Sequence, residues 1–408
     1  METMIAKFRI VTPMFLGGAK LDAGAELREA SIKGALRFWW RALAWAQIGA
    51  GSAPLSDRLQ LLHKKEADLF GSTADGQSSI HLRLNRHKIS CKQTARGVVH
   101  PSVEPTPTSK HFRAGARYLG YGVMEFVSSE NSGAEAGRLI RPAINHDCKF
   151  ELRLHSRTGF SPEVISALKL LGMLGGLGSK VRKGYGSLTL LSLNNGVKDL
   201  WSAPHDVATY EQELRALLRP TLGLSELPPF SAFSDHSRVC LLNSGTEAIA
   251  VLDDYGKQMQ RYRSWGKHKM VNGEKHEKNF PDDHAWFKND NSFLIPADFH
   301  PRRAIFGLPH NYGKYVSVNA VTSGRRASPL WFHVHDLGEN ATPRRYIGVA
   351  TILCAQFLPP GEQINANNKP VPANPDYDVI HGFLDGYVGP ADTKTTDRYF
   401  PSAQQVFP

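Results

Sequence analysis

Ser31-Ile32-Lys33-Gly34-Ala35-Leu36-Arg37-Phe38-Trp39-Trp40-Arg41 is the stretch on which the reading of this chain turns. At about 100° per residue, Ile32, Leu36, Trp39, Leu43 and Ala46 fall on one helical stripe. Ser31 stands where an N-cap belongs, so a helix is expected from Ser31 to about Gln47. Lys33, Arg37 and Arg41 recur at i, i+4 and i+8 and form a basic stripe beside the apolar one. Phe38 and Trp45 point to the other flank, so the helix is apolar over more than half its girth and needs cover on two sides. Trp39 reads as core, whereas Trp40, on the border, is open to core packing or to stacking on a base. Surface helices usually mix signs to gain i, i+4 pairs, but this stripe is uniformly positive. Phosphates along a nucleic-acid strand are a natural counter-charge, and the helix N-terminus adds unpaired N–H groups near Lys33.

Upstream, residues 7–16 read as a strand that ends in Gly17-Gly18. Downstream, 55–70 reads as a second helix, stopped by Gly71-Ser72, and Ser79 to Ile89 alternates as a half-buried strand does. Residues 92–115, rich in Pro, Thr, Ser and Arg, suggest a surface excursion. Phe150 to His155 alternates again, a helix follows from Ser161-Pro162 to about Leu174, and Ser187 to Leu193 is a further strand. With the extra helix set aside, the order is that of the split βαβ unit, which is also the layout of RNA-recognition domains. That superfold serves many unrelated functions, so order alone does not name one.

The second half is less regular. Val239 to Leu242 and Ala248 to Leu252 read equally as strand or helix, and 256–290 as a basic loop or helical insertion. Ala304 to Pro309, Leu330 to Val334 and Ile347 to Phe357 read as strands. Beyond Pro359-Pro360 a Pro-rich tail with little core of its own is expected. The expected division is 1–198, 199–358 and the tail, 359–408.

The 408 residues exceed one ordinary core of about 100–200 residues. With 41% hydrophobic and 21% charged residues the chain reads as globular, and a net charge of +11 favours polyanions. No apolar run approaches the ~18 residues that span a bilayer, and no signal-peptide layout opens the chain. Cys91, Cys148, Cys240 and Cys354 contain no C-x-x-C pair, so neither a disulfide framework nor a structural zinc site is expected. A cytoplasmic location fits reduced cysteines.

Gly175-Gly176-Leu177-Gly178-Ser179-Lys180-Val181-Arg182-Lys183-Gly184-Tyr185-Gly186 joins the helix at 161–174 to the strand at 187–193. Its glycines permit positive φ and close approach to a ligand, as at Gly178, and successive N–H groups in such turns make anion nests. Lys180, Arg182 and Lys183 add charge, and Tyr185 offers a ring for stacking. A nucleotide P-loop is excluded, because the loop follows a helix and lacks the G-x-x-x-x-G-K-[ST] spacing.

Thr12-Pro13 with Gly17-Gly18, the Ser-Ile-Lys-Gly-Ala-Leu-Arg-Phe-Trp-Trp-Arg helix, Leu69-Phe70-Gly71-Ser72 and the glycine loop together resemble the RAMP superfamily of CRISPR proteins. The double tryptophan is similar to the family of first subunits of type III-B Cmr complexes, as are Ile305 to Pro309 and Arg325 to Leu330 in the second half. The resemblance covers about 5–357. It implies an α+β chain of two ferredoxin-like (RRM-like) domains with insertions. It also implies a non-catalytic subunit, without metal or cofactor, that holds the 3′ part of the crRNA and its paired target RNA beside sibling RAMP subunits. Lys33, Arg37 and Arg41 match the family's basic helix, and Lys180, Arg182 and Lys183 its loop. Arg302, Arg303, Arg325 and Arg326 are the second-half cations carried over.

Two other classes are weighed against this one. A metal-independent endoribonuclease would need a general base, for which His100 and His111 with Tyr118 are the candidates; Asp22 matches the loop that carries an acid in related target-cutting subunits. Asp253-Asp254 and Asp282-Asp283-His284 read more simply as solvated turns, and the histidines at 268, 276 and 284 as exposed. A peripheral membrane protein would show a basic helix with one free apolar face, and the 31–46 helix is too broadly apolar for that.

Overall fold

Met4, Ala6, Phe8 and Ile10 recur at every second position and are fully buried, so the first strand, β1 (Glu2–Ile10), turns one apolar face to a core. The computed structural model describes residues 2–17, 24–85, 93–97, 114–128, 135–263, 270–271, 274–275, 279–288, 299–312, 316–338, 345–366, 369–373, 375–386 and 399–408. In it β1 is the centre of a five-stranded antiparallel sheet with β2 (Ile80–Leu84), β3 (Lys149–Ser156), β4 (Leu188–Asn194) and β5 (Asp199–Ser202). The order is β2-β3-β1-β4-β5. Helices α1 (Glu29–Gly49) and α4 (Pro162–Met173) share its core, Ile32, Leu36, Trp39 and Leu43 meeting Val164, Leu168 and Leu171. Close packing is built in: a Cβ on Gly172 would lie 2.4 Å from the Cβ of Leu190. Helix α2 (Leu55–Phe70) lies against α1, and α5 (Val207–Leu218) is tied to α4 by the Tyr210 hydroxyl, which donates to the Met173 carbonyl at 2.7 Å.

A second antiparallel sheet, of order β7-β8-β6-β9, is formed by β6 (Arg238–Gly245), β7 (Leu330–Asp336), β8 (Tyr346–Ile352) and β9 (Gln404–Phe407). Its core includes α6 (Ala248–Arg263) and α8 (Asp378–Asp385), and the short helices α3 (Ala114–Leu119) and α7 (Pro281–Lys288) complete the helical set among the described residues. A smaller antiparallel sheet joins His310–Tyr312, Val316–Ala320, Gln363–Ala366 and Lys369–Pro372. The chain is thus α+β, with several antiparallel sheets.

The two main sheets are joined along β7, an edge strand whose outward N–H groups need partners. The first half supplies them. Phe332 N–H donates to the Arg182 carbonyl at 3.0 Å, Val334 N–H to Ser187 Oγ at 3.1 Å and Asp336 N–H to Thr189 Oγ1 at 3.2 Å. Beside them Arg9 Nη1 and Asp336 Oδ2 form an ion pair at 2.6 Å, 2% and 0% exposed. The same strand brings Trp331 onto Phe38 and Trp39, at 4.9 and 5.3 Å between ring centroids, while Trp45 meets Phe230. This is the second cover that the tryptophan helix requires.

Several expectations are corrected. The first helix begins at Glu29, and Ser31 does not cap it; Arg28 occupies the N-cap with no side-chain hydrogen bond. Residues 304–309 are not a strand, because Arg302–Phe306 winds into a 3-10 helix. Val239 to Leu242 is strand, and Ala248 to Leu252 opens a helix that runs on into the basic 256–290 segment as far as Arg263. The most instructive correction concerns 359–408. Instead of a tail without a core, it supplies α8 and β9, with Val379, Ile380, Phe383 and Val406 fully buried. Composition misleads there because a few apolar side chains at helical and strand spacing suffice to bury a segment that is otherwise polar and rich in proline.

Candidate nucleic-acid interface

The glycine loop after α4 is a stapled structure, and its geometry follows from close backbone contacts. Leu177 N–H donates to the Gly186 carbonyl, Ser179 N–H to Phe15, Lys183 N–H to Lys180 and Gly186 N–H to Pro13, all within 3.0 Å. Gly178 has φ +91°, and a Cβ there would sit 2.5 Å from the Phe15 carbonyl oxygen. Gly178 is therefore needed for the loop to close on β1's continuation. These four N–H groups are spent inside the protein and are not open to an anion, while the side chains of the loop carry its charge.

That charge lines a cleft of about 570 Å³ between the loop and the second half. Lys180, Arg182 and Lys183 come from the loop, Arg263 from the last turn of α6, and Arg325 and Arg326 from the turn before β7; among the described residues no Asp or Glu lines it. His310 and Leu119 complete much of the wall. Arg182 is braced from below: its guanidinium lies 4.5 Å over the Trp331 ring and 5.6 Å from that of Phe38, and it donates to the Ser328 carbonyl. Phe38 of the tryptophan helix thus acts on the cleft through Arg182.

The electrostatics are one-sided. Burial, then Arg263, then Lys180 push the Lys183 ammonium down to about 7. Burial and Arg326 push Arg182 down to about 9, which leaves it charged at neutral pH. Lys180 is lowered by burial and Arg141, and Arg326 by burial. His310 is held well below its ordinary value by burial and then by Arg263, Arg303 and Lys183, so it is neutral; its Nδ1 faces Arg263 Nη2 at 3.2 Å. Buried donors are also left over. Arg263 Nε, Arg326 Nε and Arg326 Nη2 have no hydrogen-bond partner among the described residues. Each such orphan costs about 1–3 kcal/mol, and an anion with several acceptor oxygens would satisfy them together.

Other residues singled out from the sequence lie elsewhere. Arg37 and Arg41 converge on Glu66 of α2, at 2.6 and 3.4 Å, so an acid from the neighbouring helix answers the basic stripe. Lys33 is half-exposed on the same helix and is lowered by burial and by Arg37. Trp40 is buried against Phe70 and is not available to a base. Tyr185 is likewise buried, donating to the Ala116 carbonyl at 2.7 Å and packing edge-on against Phe15, so its expected stacking role is corrected and of the two readings left open for Trp40 the core one holds. Arg302 pairs with Asp376, and Arg303 with the fully buried Asp283, away from the cleft lining. Asp283 is accordingly a structural anchor, accepting also from the Arg302 and Arg303 N–H groups. Asp22, His100, His111 and the histidines at 268 and 276 lie outside the described residues. Among those described, no group of His, Cys, Asp and Glu is arranged to hold a metal ion, and no helix is long and apolar enough to cross a membrane. Arg263 and His310 were not anticipated from sequence; the only signal was the Arg261-Tyr262-Arg263 run, whose placement depends on where α6 ends.

Residues 7–189, from β1 through the glycine loop to β4, match the model of the RAMP superfamily. This chain carries a RAMP superfamily domain. The RAMP match therefore contains α1 and the loop side of the cleft, while Arg263, His310, Arg325 and Arg326 come from beyond it. Over its whole length the chain is similar in fold to the crystal structure of Cmr1 from Pyrococcus furiosus, in its apo form. The two are 18% identical, with 100% of this chain and 99% of that one covered and a TM-score of 0.51. A chain of the type III-B Cmr-beta complex bound to cognate target RNA aligns at 12% identity over 88% of this chain and 96% of that one, with a TM-score of 0.47. Against curated protein sequences the chain finds no match.

Proposed function

We propose that this chain is a non-catalytic RNA-binding subunit of a type III-B CRISPR (Cmr) RNA-guided effector complex, and that the cationic cleft holds RNA backbone. The observation that carries the reading is the cleft itself: among the described residues it is lined by six cations and no acid, and buried guanidinium donors on Arg263 and Arg326 have no partner there. A phosphodiester supplies dispersed negative oxygens without titrating near neutral pH, which matches that demand. Sequence reading is left to base pairing between the crRNA and its target, and the protein holds backbone and shape. The RAMP domain and the Cmr1-like fold support the class of complex. The partners are the 3′ part of the crRNA, its paired target RNA and sibling RAMP subunits, in the cytoplasm.

We further read the chain as two ferredoxin-like units. The orders β2-β3-β1-β4 and β7-β8-β6-β9 both support this, since each has its first strand between its third and fourth. The second unit then runs on to β9 and takes in the 359–408 segment. For the alternative, an endoribonuclease using His100, His111 and Tyr118, only Tyr118 is described, its ring 5.9 Å from Lys183 Nζ.

The test is RNA affinity against salt for the full chain and for Arg263→Ala and Arg326→Ala. Each substitution should weaken binding across RNA sequences and lower the slope of log affinity on log salt by about 0.7. Unchanged affinity and slope in both variants would refute the assignment.

A further inference from the structure

The rim of the cleft on the α3 side carries a different chemistry from its walls. Tyr121 is 67% exposed. Backbone bonds fix the turn that bears it: Tyr121 N–H donates to the Tyr118 carbonyl at 3.3 Å, and Val123 N–H to Gly120 at 3.0 Å. Two observations join this turn to the cleft. Leu119, two residues earlier, lines it, and a Cβ on Gly122 would lie 3.7 Å from Lys180 Nζ. Beside the turn runs 139–141, since Ile140 N–H donates to the Val123 carbonyl at 2.9 Å. Arg141, exposed there, donates to Ser179 Oγ of the glycine loop at 3.1 Å, and Ile140 is 37% exposed. An exposed ring, an exposed aliphatic side chain and two cations thus share one rim, continuous with the six-cation wall.

We propose that Tyr121 is a base-stacking platform at the mouth of the cleft, so that the RNA held there is a single-stranded segment with at least one base turned onto the protein. The proposal rests on the RNA reading of the cleft and narrows it. A ring bordered by cations gives an unpaired nucleotide both of the contacts it offers, a π-face and a phosphate. A continuous duplex offers only the phosphates, because its base faces are already stacked. Solvent exposure of Tyr121 is then explained by what it meets when RNA is bound.

The experiment measures binding of the full chain to three labelled probes of equal length: a single-stranded oligouridylate, the same ribose-phosphate chain without bases, and a blunt RNA duplex. Wild type should prefer the oligouridylate over the abasic chain. Tyr121→Ala should weaken the oligouridylate about five- to tenfold and leave the abasic chain unchanged, and Tyr121→Phe should behave as wild type. Equal binding of base-bearing and abasic probes by wild type overturns the proposal, as does a Tyr121→Ala loss of the same size on both. Arg326→Ala in parallel reports on the cleft reading instead, since it should weaken both single-stranded probes alike. If Arg326→Ala weakens both probes while Tyr121→Ala changes neither, the platform fails and the cleft reading stands; if Arg326→Ala changes neither probe, the cleft reading fails and the platform at its mouth fails with it. If wild type binds none of the probes, both fail.

Discussion

Lys183 gives the cleft a measurable pH response. Burial and the facing Arg263 and Lys180 hold its ammonium at about 7, so in the free protein it passes from charged to neutral across the physiological range. A phosphate oxygen favours the charged form and raises the value on binding, so RNA binding takes up a proton and affinity falls as pH rises. If the bound state restores about two units, to about 9, affinity falls roughly 20-fold between about pH 6 and pH 8.5, approaching tenfold per unit between the two values. Three other groups at the site leave this window clear. His310 is held neutral well below it, Arg182 stays charged to about 9, and phosphodiesters do not titrate there. The assay is fluorescence anisotropy with a single-stranded RNA at fixed ionic strength, on wild type, Lys183→Met and Lys183→Arg. Met should flatten the profile at the weaker limit, and Arg, charged throughout, should flatten it at the stronger one. A flat wild-type profile, or an unchanged slope in Lys183→Met, refutes the account of the cleft as uncompensated charge.

Asp336→Asn should destabilise the chain by about 3–5 kcal/mol in chemical denaturation, because it breaks the buried Arg9 ion pair where the sheets join, whereas Arg9→Met with Asp336→Leu should recover most of the loss; a single-variant cost below about 1 kcal/mol counts against that. Trp40→Ala should cost about 3–5 kcal/mol of stability and leave the RNA affinity of the folded fraction unchanged, separating a core ring from a binding one. Deletion of 359–408 removes α8 and β9 from the second core, so cooperative unfolding of that half should be lost in calorimetry; a truncated chain with an unaltered transition would show the segment to be dispensable.

Much of the first half was legible in the sequence, for a physical reason. The alternation at 150–155 and the period-3.6 stripe in α1 are local patterns whose burial follows from the element itself, whereas the first strand, expected at 7–16, runs from Glu2 to Ile10. The loop cations Lys180, Arg182 and Lys183 and the pair Arg325 and Arg326 are also marked as functional, although the nearest of them, Lys183 and Arg325, differ by 142 positions in sequence. Tertiary structure decided which cations share a surface. The stripe of α1 looked like the strongest RNA face until α2 brought Glu66 against Arg37 and Arg41, an ion pair no helical projection of α1 alone reveals. Trp40 and Tyr185 have amphipathic rings, and only packing against Phe70 and Phe15 determined that both are core. Arg263 reaches the cleft because α6 runs longer than its polar sequence suggested, and His310 is brought there by the short strand it opens. By itself the sequence determined most elements of the first half, the excess of positive charge and the kinship to RAMP proteins. Where that charge is left without a partner depended on contacts between residues far apart in the chain, and those exist only once the two sheets meet along β7.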